Sequence, residues 1–381
     1  MKPFRTFHLL KILETWTLSS SPLDRFLSSY FRTHKAVGSK DRAEICHILY
    51  DLIRWKGLLD AHASKQASWK KRLDLYLNGC KKWDASAYPP HVQVSFPKCF
   101  FDRLKKAYGE PRAIELCLNS NQEAPTTIRV NLLKTTRAAL LKKWEGTYGV
   151  YPCAQSKTGI VFEKRINFFA LDEFKEGLFE MQDEGSQLIG AHVKASARDH
   201  VLDFCAGSGG KTLAFAPNMG GLGQIYLYDI RAQALIEAKK RLKRAGIQNA
   251  QILTLSKLRK KGLAKRMDWV LLDVPCSGSG TLRRNPDLKW RWSDASLEAL
   301  TQTQRAIFEE GLKFVKKNGK IVYATCSLLP EENEEQVAYF IEAHGLKLVS
   351  PPFQSFPKKG EMDGFYCAVL SKIGEARLDS K

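Results

Sequence analysis

The stretch from 201 to 212 reads Val201-Leu202-Asp203-Phe204-Cys205-Ala206-Gly207-Ser208-Gly209-Gly210-Lys211-Thr212. An apolar run followed by a glycine-rich turn predicts a buried strand that passes through a tight loop into a helix. A P-loop needs four residues between its glycines, whereas Gly207 and Gly210 are separated by only two. Glycine lets the backbone approach a ligand, and the helix that follows presents free N–H groups. We therefore predict a nucleotide-like cofactor held by Cys205, Ala206, Gly207, Ser208, Gly209, Gly210 and Lys211.

A carboxylate marks the end of the next predicted strand, which covers residues 224–228. Asp229 lies eighteen residues after Lys211. It can accept hydrogen bonds from both hydroxyls of a ribose, as acidic residues do in dinucleotide-binding folds. The alternative is that Asp229 only caps the helix that follows. The loop and the carboxylate together predict a ribose-bearing cofactor at the C-terminal edge of a parallel sheet.

The patterns on either side divide the 381 residues into three predicted domains. From 186 to 381, apolar β-rich runs alternate with helical stretches, which predicts an α/β domain of the Rossmann-like, doubly wound kind. Residues 1–88 carry apolar residues at helical spacing and predict an all-α domain, which ends where Tyr88-Pro89-Pro90 breaks the pattern. Residues 89–185 combine two helices with a strand at 126–131 and predict a small α/β domain of the RRM-like kind, which we expect to face RNA.

The charge balance favours a nucleic-acid partner. The chain has 60 Lys and Arg against 40 Asp and Glu, a net charge of +20, which attracts polyanions. The densest basic run, from Lys239 to Arg266, holds eleven basic residues and no acidic one. An ordinary solvated face is the alternative, but the absence of glutamate argues against simple pairing along a helix. Within the run we predict RNA contacts from Lys257, Arg259, Lys260 and Lys261.

Composition excludes several classes of protein. The 44% hydrophobic and 26% charged content is that of a folded globular protein. No run approaches the roughly 20 apolar residues that cross a bilayer, so we expect no membrane span. The nine cysteines include no CxxC pair, which argues against a disulfide framework and a zinc ribbon. We therefore expect reduced thiols, no metal and a cytoplasmic location.

Two cysteines follow two predicted strands. One strand runs into Asp273-Val274-Pro275-Cys276-Ser277, and the next into Thr325-Cys326-Ser327. If the strands are neighbours, both thiols lie over the edge that holds the cofactor. A single free cysteine is more often an inert core residue, but two in matching positions point to chemistry.

Thiolate chemistry explains such a pair. Carbon 5 of a pyrimidine is a poor nucleophile until a thiolate adds to carbon 6 and pushes electron density onto it. Methyltransferases of exocyclic amines instead hold their target with an aromatic residue after Asp/Asn-Pro-Pro. Cys276 occupies that position here, so amine chemistry is disfavoured.

Further motifs accompany these segments: Arg283-Arg284-Asn285-Pro286-Asp287 with Trp290, Pro330-Glu331-Glu332-Asn333, Asp363-Gly364-Phe365-Tyr366, Arg129-Val130-Asn131 and Gln182-Asp183-Glu184-Gly185-Ser186-Gln187. Over about residues 97–370 they resemble the RNA (cytosine-5) methyltransferases of the Sun/Nop2 type. The segment from Ser39 to Trp55 is similar to the NusB-like helical domain of the bacterial members that act on small-subunit ribosomal RNA.

The resemblance implies S-adenosylmethionine as cofactor and RNA as partner, with ribosomal RNA expected and transfer RNA as the alternative, and we expect a monomer. It implies Cys326 as the nucleophile, Cys276 as the thiol that helps release the product, and Asp273 as a catalytic and cofactor-binding residue. Lys211 and the basic residues Arg283 and Arg284 could activate the thiol. The predicted RNA contacts also include Arg129, Asn131, Arg283 and Arg284.

The chain departs from the family at two positions, and both concern the cofactor. Gly207-Ser208 replace the usual Ala-Pro of the loop, and Ser256 is nearest in register to an aspartate that usually meets the adenine. We therefore expect Ser256 to recognise adenine less tightly than that acid would.

Two rival functions are kept open. A DNA cytosine methyltransferase is disfavoured by Cys326, because the DNA enzymes carry only the Pro-Cys thiol, and by the lack of a recognisable DNA-reading module. A ribosome-assembly factor that keeps the fold and binds RNA without catalysis predicts erosion of a thiol or of the cofactor loop.

Overall fold

The computed structural model of the protein describes residues 1–63, 67–79 and 84–373. Parts of the predicted domains, residues 64–66, 80–83 and 374–381, lie outside the described residues. The chain divides into two units, which we call the helical unit and the sheet unit. The helical unit contains Met1–Glu123 and Thr281–Asp294, and the sheet unit contains Ala124–Gly280 and the chain from Ala295 onward.

The helical unit begins with a series of helices, and residues of the first, second, third, fourth and fifth of them form one apolar core. The helices are α1 (Pro3–Thr17), α2 (Leu23–Thr33), α3 (Ser39–Arg54), α4 (Lys56–His62), α5 (Trp69–Leu77), α6 (Pro90–Gln93), α7 (Lys98–Tyr108) and α8 (Glu110–Ser120). Leu27 and Leu49, which recur at the predicted helical spacing, are buried in this core. The all-α prediction for the N-terminal part is confirmed. The boundary predicted at 88 differs from the structure, because α7 and α8 lie in the helical unit.

The sheet unit begins with a small α/β domain. Its elements are β1 (Thr126–Val130), α9 (Arg137–Trp144), β2 (Val150–Pro152), β3 (Gly159–Phe162), α10 (Asp172–Lys175) and β4 (Phe179–Met181). The strands pair antiparallel in the order β2-β3-β1-β4. Apolar residues that alternate along the strands, such as Ile128, Val130 and Phe179, pack with Trp144 of α9 on one face of the sheet.

A larger mixed sheet follows. Its first elements are α11 (Glu184–Ala191), β5 (His200–Asp203), α12 (Thr212–Phe215), β6 (Gln224–Leu227), α13 (Ala232–Ala245), β7 (Ala250–Ile252), α14 (Leu255–Lys260) and β8 (Met267–Asp273). After α15 (Leu288–Arg291), which belongs to the helical unit, come α16 (Asp294–Leu312), β9 (Val315–Thr325), α17 (Glu334–His344), β10 (Leu346–Leu348), β11 (Phe353–Ser355) and β12 (Phe365–Lys372).

The strand order of this sheet is β10-β12-β9-β8-β5-β6-β7, with β11 paired to β12. Neighbours from β9 to β7 run parallel, and β12 is antiparallel to β9. Alternate residues of each strand enter different cores: Val201 packs on one face and Leu202 on the other. The predicted doubly wound α/β fold is confirmed, and it brings the C-terminal ends of β5, β6, β8 and β9 to one edge.

The segment 281–294 interrupts the sheet unit in the sequence but belongs to the helical unit. A buried lysine anchors it there. The Lys289 side chain is 1% exposed. Its ammonium donates to the carbonyls of Arg54 and Ser95 and to Oδ1 of Asn121, each at 2.8 Å. Burial lowers the pKa of Lys289 well below its ordinary value. The three acceptors hold the Lys289 nitrogen in place although burial disfavours its charged form.

Replacing this lysine tests the anchor. Lys289→Met is expected to lower the free energy of unfolding by about 3 kcal/mol or more, because each buried acceptor that loses its donor costs about 1–3 kcal/mol. Urea unfolding followed by tryptophan fluorescence measures the change. Lys106→Met on α7 is the matched control, since Lys106 is exposed. Equal stability of the two variants would contradict the anchoring role.

Candidate active site

The cofactor loop follows β5 and has backbone angles that favour glycine. Gly207 and Gly209 have φ of +52° and +78°, a region that other residues rarely adopt. A Cβ on Gly209 would also lie 3.3 Å from the Cβ of Ala238 on α13. The loop folds back on itself through a hydrogen bond of 2.8 Å from Gly209 N to the carbonyl of Ala206. These constraints explain why the sequence places glycines here.

The small α/β domain holds the loop from outside. Arg129 of β1 is 4% exposed and donates to the carbonyl of Gly210 at 2.9 Å. Arg241 of α13 donates to the carbonyl and the hydroxyl oxygen of Ser208 at 3.0 and 2.7 Å. Its guanidinium is paired at 3.1 Å with Glu180 of β4. The face of the small sheet that carries Arg129 and Glu180 therefore packs on the cofactor domain.

Asn131 and Lys134 extend this interface to the C-terminal end of α13. Asn131 is buried, and its amide donates to the carbonyls of Gly177 and Ala245 at 2.9 Å each. Lys134 donates to the carbonyl of Arg244 at 2.8 Å. Last-turn carbonyls of a helix lack hydrogen-bond donors within the helix. The side chains of Asn131 and Lys134 donate to two of these carbonyls. The structure thus gives Arg129 and Asn131, which the sequence suggested as RNA contacts, positions inside the protein.

Asp229 lies at the end of β6, beside the loop. Its Oδ2 accepts from Gly207 N at 2.8 Å, and its Oδ1 accepts from Arg231 N at 2.8 Å and Arg231 Nε at 3.0 Å. Burial alone would raise the pKa of Asp229, but these hydrogen bonds lower it, so the group is an anion. Arg231 was not predicted. Ile230, between them, is 88% exposed and offers an apolar surface beside the carboxylate.

A buried acceptor at the start of the loop tests whether S-adenosylmethionine fits. Asp203 is 1% exposed, and its Oδ2 accepts from the Thr212 hydroxyl at 2.6 Å. Its Oδ1 has no hydrogen-bond partner among the described residues. Burial raises the pKa of Asp203 to about 7. Buried acceptors are normally satisfied, and a cofactor with an ammonium group and ribose hydroxyls would supply donors to Asp203 and Asp229. The residues fit this cofactor.

The two predicted cysteines meet at the same edge. β8 and β9 are parallel neighbours, with Asp273 opposite Ala324, so the loops that follow them start side by side. The Sγ atoms of Cys276 and Cys326 are 3.3 Å apart, and Cys326 N donates to Cys276 Sγ at 3.3 Å. Both residues are partly exposed. The hydrogen bond with Cys326, burial and nearby negative charge raise the pKa of Cys276 well above its ordinary value.

A partly buried ion pair connects the cofactor loop to this edge. The Lys211 ammonium contacts the Asp273 carboxylate. Burial alone would lower the pKa of Lys211, but the charges of Asp273 and Cys326 raise it. Lys211 therefore stays positively charged in its contact with Asp273.

Cys205 belongs to the cofactor loop, whereas the predicted residues Ser256, Arg283 and Arg284 lie on other segments. Cys205 is partly exposed, and burial raises its pKa well above the ordinary value. Ser256, on the first turn of α14, is exposed, with its hydroxyl 3.0 Å from that of Thr254. Arg283 is 1% exposed in the helical unit, which leaves its side chain no surface for the predicted RNA contact. Arg284 is partly exposed in the same unit.

The basic residues of α14 and the turn after it are on the surface: Lys257, Arg259, Lys260 and Lys261. Arg259 is paired with Glu310 at 2.8 Å, and Lys261 donates to Gln251 at 3.0 Å. Their contact with RNA stays a prediction.

Two further structural findings concern other ligand classes. Among the residues that the structure describes, no group of three or more His, Cys, Asp or Glu could hold a metal ion. None of the described helices is both long and apolar enough to cross a lipid bilayer.

The order of the large sheet and the loop after β5 define the class of S-adenosylmethionine-dependent methyltransferases. The family described as 16S rRNA methyltransferase RsmB/F matches residues 191–371, and its RsmF/B-like ferredoxin-like domain matches residues 96–168. A ribosomal RNA small subunit methyltransferase B from Vibrio cholerae is 30% identical over 380 residues, 97% of this chain and 82% of the relative.

Two other proteins support the same family assignment. A probable ribosomal RNA small subunit methyltransferase B from Synechocystis sp. is 31% identical over 307 residues, which span 74% of this chain and 67% of the relative. The crystal structure of a methyltransferase homologue from Pyrococcus horikoshii has a TM-score of 0.67 and 26% identity, covering 76% of this chain and all of its own. The chain belongs to the RsmB/F family, and its predicted resemblance to Sun/Nop2-type enzymes is confirmed.

The contact between Arg241 and Ser208 predicts an effect on cofactor affinity. Arg241→Met is expected to weaken S-adenosylmethionine binding about tenfold or more, because hydrogen bonds from charged groups contribute about 1.5–3 kcal/mol and the loop loses two. Isothermal titration calorimetry measures the affinity. Lys240→Met is the control, since the Lys240 side chain is 71% exposed. Unchanged affinity in Arg241→Met would show that the loop keeps its shape without the contact from Arg241.

Proposed function

We propose that the protein methylates carbon 5 of cytosine in small-subunit ribosomal RNA through a covalent cysteine adduct. The observation that carries this proposal is the pair of thiols 3.3 Å apart at the ends of neighbouring parallel strands. The named relatives are ribosomal RNA small subunit methyltransferases, and the net charge of +20 suits an RNA substrate. Both thiols and the cofactor loop are present, which favours catalysis over the assembly-factor alternative. Such a role places the protein in the cytoplasm.

The cofactor would be held by Asp203, Asp229 and the loop backbone from Gly207 to Lys211. When bound, it supplies an electrophilic methyl group for carbon 5. Ser256 would meet the adenine from the first turn of α14. Ile230 presents an apolar surface beside Asp229 that suits a flat ring.

Cys326 acts as the nucleophile in this scheme. Its thiolate forms a bond to carbon 6 of an unstacked cytosine, and the carbon 5–carbon 6 double bond opens to place electron density on carbon 5. N3 takes up a proton from solvent, and the resulting N3–H group donates a hydrogen bond to the Asp273 carboxylate. The Cys276 thiol, whose pKa is raised, can donate a hydrogen bond to Cys326 Sγ. Lys211 is positively charged and interacts electrostatically with Cys326.

Cys276 acts in release. Once Cys326 is a thioether, it no longer carries the negative charge that helped to raise the pKa of Cys276, so that pKa falls and the Cys276 thiol releases its proton to solvent. The Cys276 thiolate can then take the carbon 5 proton. The electrons of that C–H bond restore the double bond and expel the Cys326 thiolate. The interaction with Cys326 therefore keeps Cys276 protonated during attack, and its loss lets Cys276 act as a base during release.

The target base must leave its stack before a thiolate can reach carbon 6. We propose that the exposed residues Lys257, Lys260 and Lys261 bind the RNA backbone. A loop or a transiently opened helix of the RNA is the expected target.

Substituting each cysteine separates the two roles. Cys326→Ala should abolish methyl transfer and form no covalent link to RNA, because the attacking atom is lost. Cys276→Ala should still attack and methylate but accumulate a protein–RNA adduct, because the carbon 5 proton has no base. Denaturing gel electrophoresis with a cytosine-containing RNA detects the adduct. Swapped outcomes would exchange the roles, and wild-type turnover in both variants would remove the cytosine-5 proposal.

Release depends on the pKa of Cys276 in the adduct, where Cys326 is a thioether and no longer raises that pKa. A thiol loses its proton as the pH rises through its pKa, so more base is present at higher pH. The decay of a preformed wild-type adduct should therefore accelerate after a jump from about pH 6 to about pH 9, a range that spans ordinary thiol titration. Rapid quench and gel analysis follow the decay. The Cys276→Ala adduct should persist at both values, and a pH-independent wild-type decay would contradict the role of Cys276.

A further inference from the structure

A buried carboxylate lies behind the two thiols. Glu332, in the short turn after β9, is 0% exposed. It accepts hydrogen bonds from Ser277 N at 2.8 Å, from the Ser277 hydroxyl at 2.5 Å and from the Ser327 hydroxyl at 2.5 Å. The amide of Gln304 donates to it at 3.0 Å. Four donors from three segments of chain thus converge on one side chain.

The two serines are the residues that directly follow the thiols. Ser277 comes after Cys276, and Ser327 comes after Cys326. Their hydroxyl oxygens are 3.2 Å apart. Ser279 joins them, with its hydroxyl 3.0 Å from that of Ser327 and accepting from Leu328 N at 2.7 Å. The Glu332 carboxylate therefore ties together two loops that strand pairing alone brings only to the same edge.

The backbone that carries Glu332 is itself fixed. The Tyr323 hydroxyl donates to the Glu332 carbonyl at 2.7 Å. The next residue, Asn333, accepts from the Thr325 hydroxyl at 2.5 Å and donates to the Ser327 carbonyl at 3.0 Å. These hydrogen bonds are all within the buried end of β9 and the turn after it. The carboxylate consequently has a rigid base from which to hold the loops.

A carboxylate suits this position better than an amide. An ionised carboxylate is only an acceptor and can receive several hydrogen bonds, whereas a glutamine would turn an N–H group towards serine donors. Burial raises the pKa of Glu332, and the hydrogen bonds from Ser277 and Ser327 oppose that rise. Full burial also keeps Glu332 away from RNA and cofactor, so its effect has to act through its neighbours.

We propose that Glu332 is a positioning residue that holds Cys276 and Cys326 next to each other by clamping the serine after each of them. The clamp rests on the proposed function only for the roles given to the two thiols, since their proximity is a property of the protein alone. The clamp keeps the releasing thiol within reach of the nucleophile before, during and after attack. It also assigns a role to the second glutamate of Pro330-Glu331-Glu332-Asn333.

Bridging of the two thiols tests the clamp without RNA. Dibromobimane becomes fluorescent when two nearby thiols displace both of its bromides, so the full-length protein should give a Cys276–Cys326 bridge that is absent from Cys276→Ala and Cys326→Ala. Glu332→Gln should slow this bridging about tenfold or more, the effect of losing hydrogen bonds to a charged group. Glu335→Gln is the matched control, since Glu335 is exposed nearby on α17.

Circular dichroism shows whether Glu332→Gln is folded. If it is not folded, the test uses Ser277→Ala and Ser327→Ala instead. Each of these variants removes one hydroxyl hydrogen bond to Glu332, and each should slow bridging. Wild-type bridging in folded Glu332→Gln, or in both serine variants, would overturn the proposal.

Methyl transfer gives a second readout. The clamp predicts a lower kcat with little change in KM for Glu332→Gln. Bridging that depends on Glu332 in a protein without cytosine methylation would uphold the clamp while removing the proposed function, so the two failures are distinguishable.

Discussion

The parallel pairing of β8 with β9 is the constraint on which the active site depends. It sets Asp273 opposite Ala324, and the chain needs only a few residues after each strand to bring both thiols together. The position of Gly280 is also restricted. Its N–H donates to the Cys326 carbonyl, and a Cβ on Gly280 would lie 2.1 Å from the Gly364 carbonyl oxygen, so no other residue fits there. This packing gives the Asp363-Gly364 motif a structural reason and leaves the loops little freedom to separate.

A second set of contacts holds the cofactor loop, and part of it comes from the small domain. Arg129 and Arg241 hold the carbonyls of Gly210 and Ser208, and Glu180 holds Arg241 in place. The face of the small sheet that carries Arg129 and Glu180 is used for this packing. The small domain thus supports the cofactor loop.

Local patterns predicted the strands, the glycine loop and the proximity of Cys276 to Cys326, because apolar alternation and glycine at a turn follow from short-range sterics and burial. They did not predict that Arg129 and Asn131 are interior residues, since a basic or polar side chain in sequence shows its charge but not its partners. They also did not predict that residues 281–294 belong to the helical unit, because the acceptors of Lys289 are more than 160 positions away in sequence. The sequence indicated Glu332 only as a member of the Pro330-Glu331-Glu332-Asn333 motif. The structure shows that its hydrogen-bond donors include the two serines that directly follow the two cysteines.

The central claim is that this chain methylates carbon 5 of cytosine in small-subunit ribosomal RNA by a mechanism that needs Cys326. Bisulfite sequencing of that RNA from cells with the gene, without it, and complemented with Cys326→Ala tests the claim most directly. The account predicts at least one cytosine that resists conversion only when the wild-type protein is present. Complete conversion in all three samples, or protection that persists with Cys326→Ala, would contradict it.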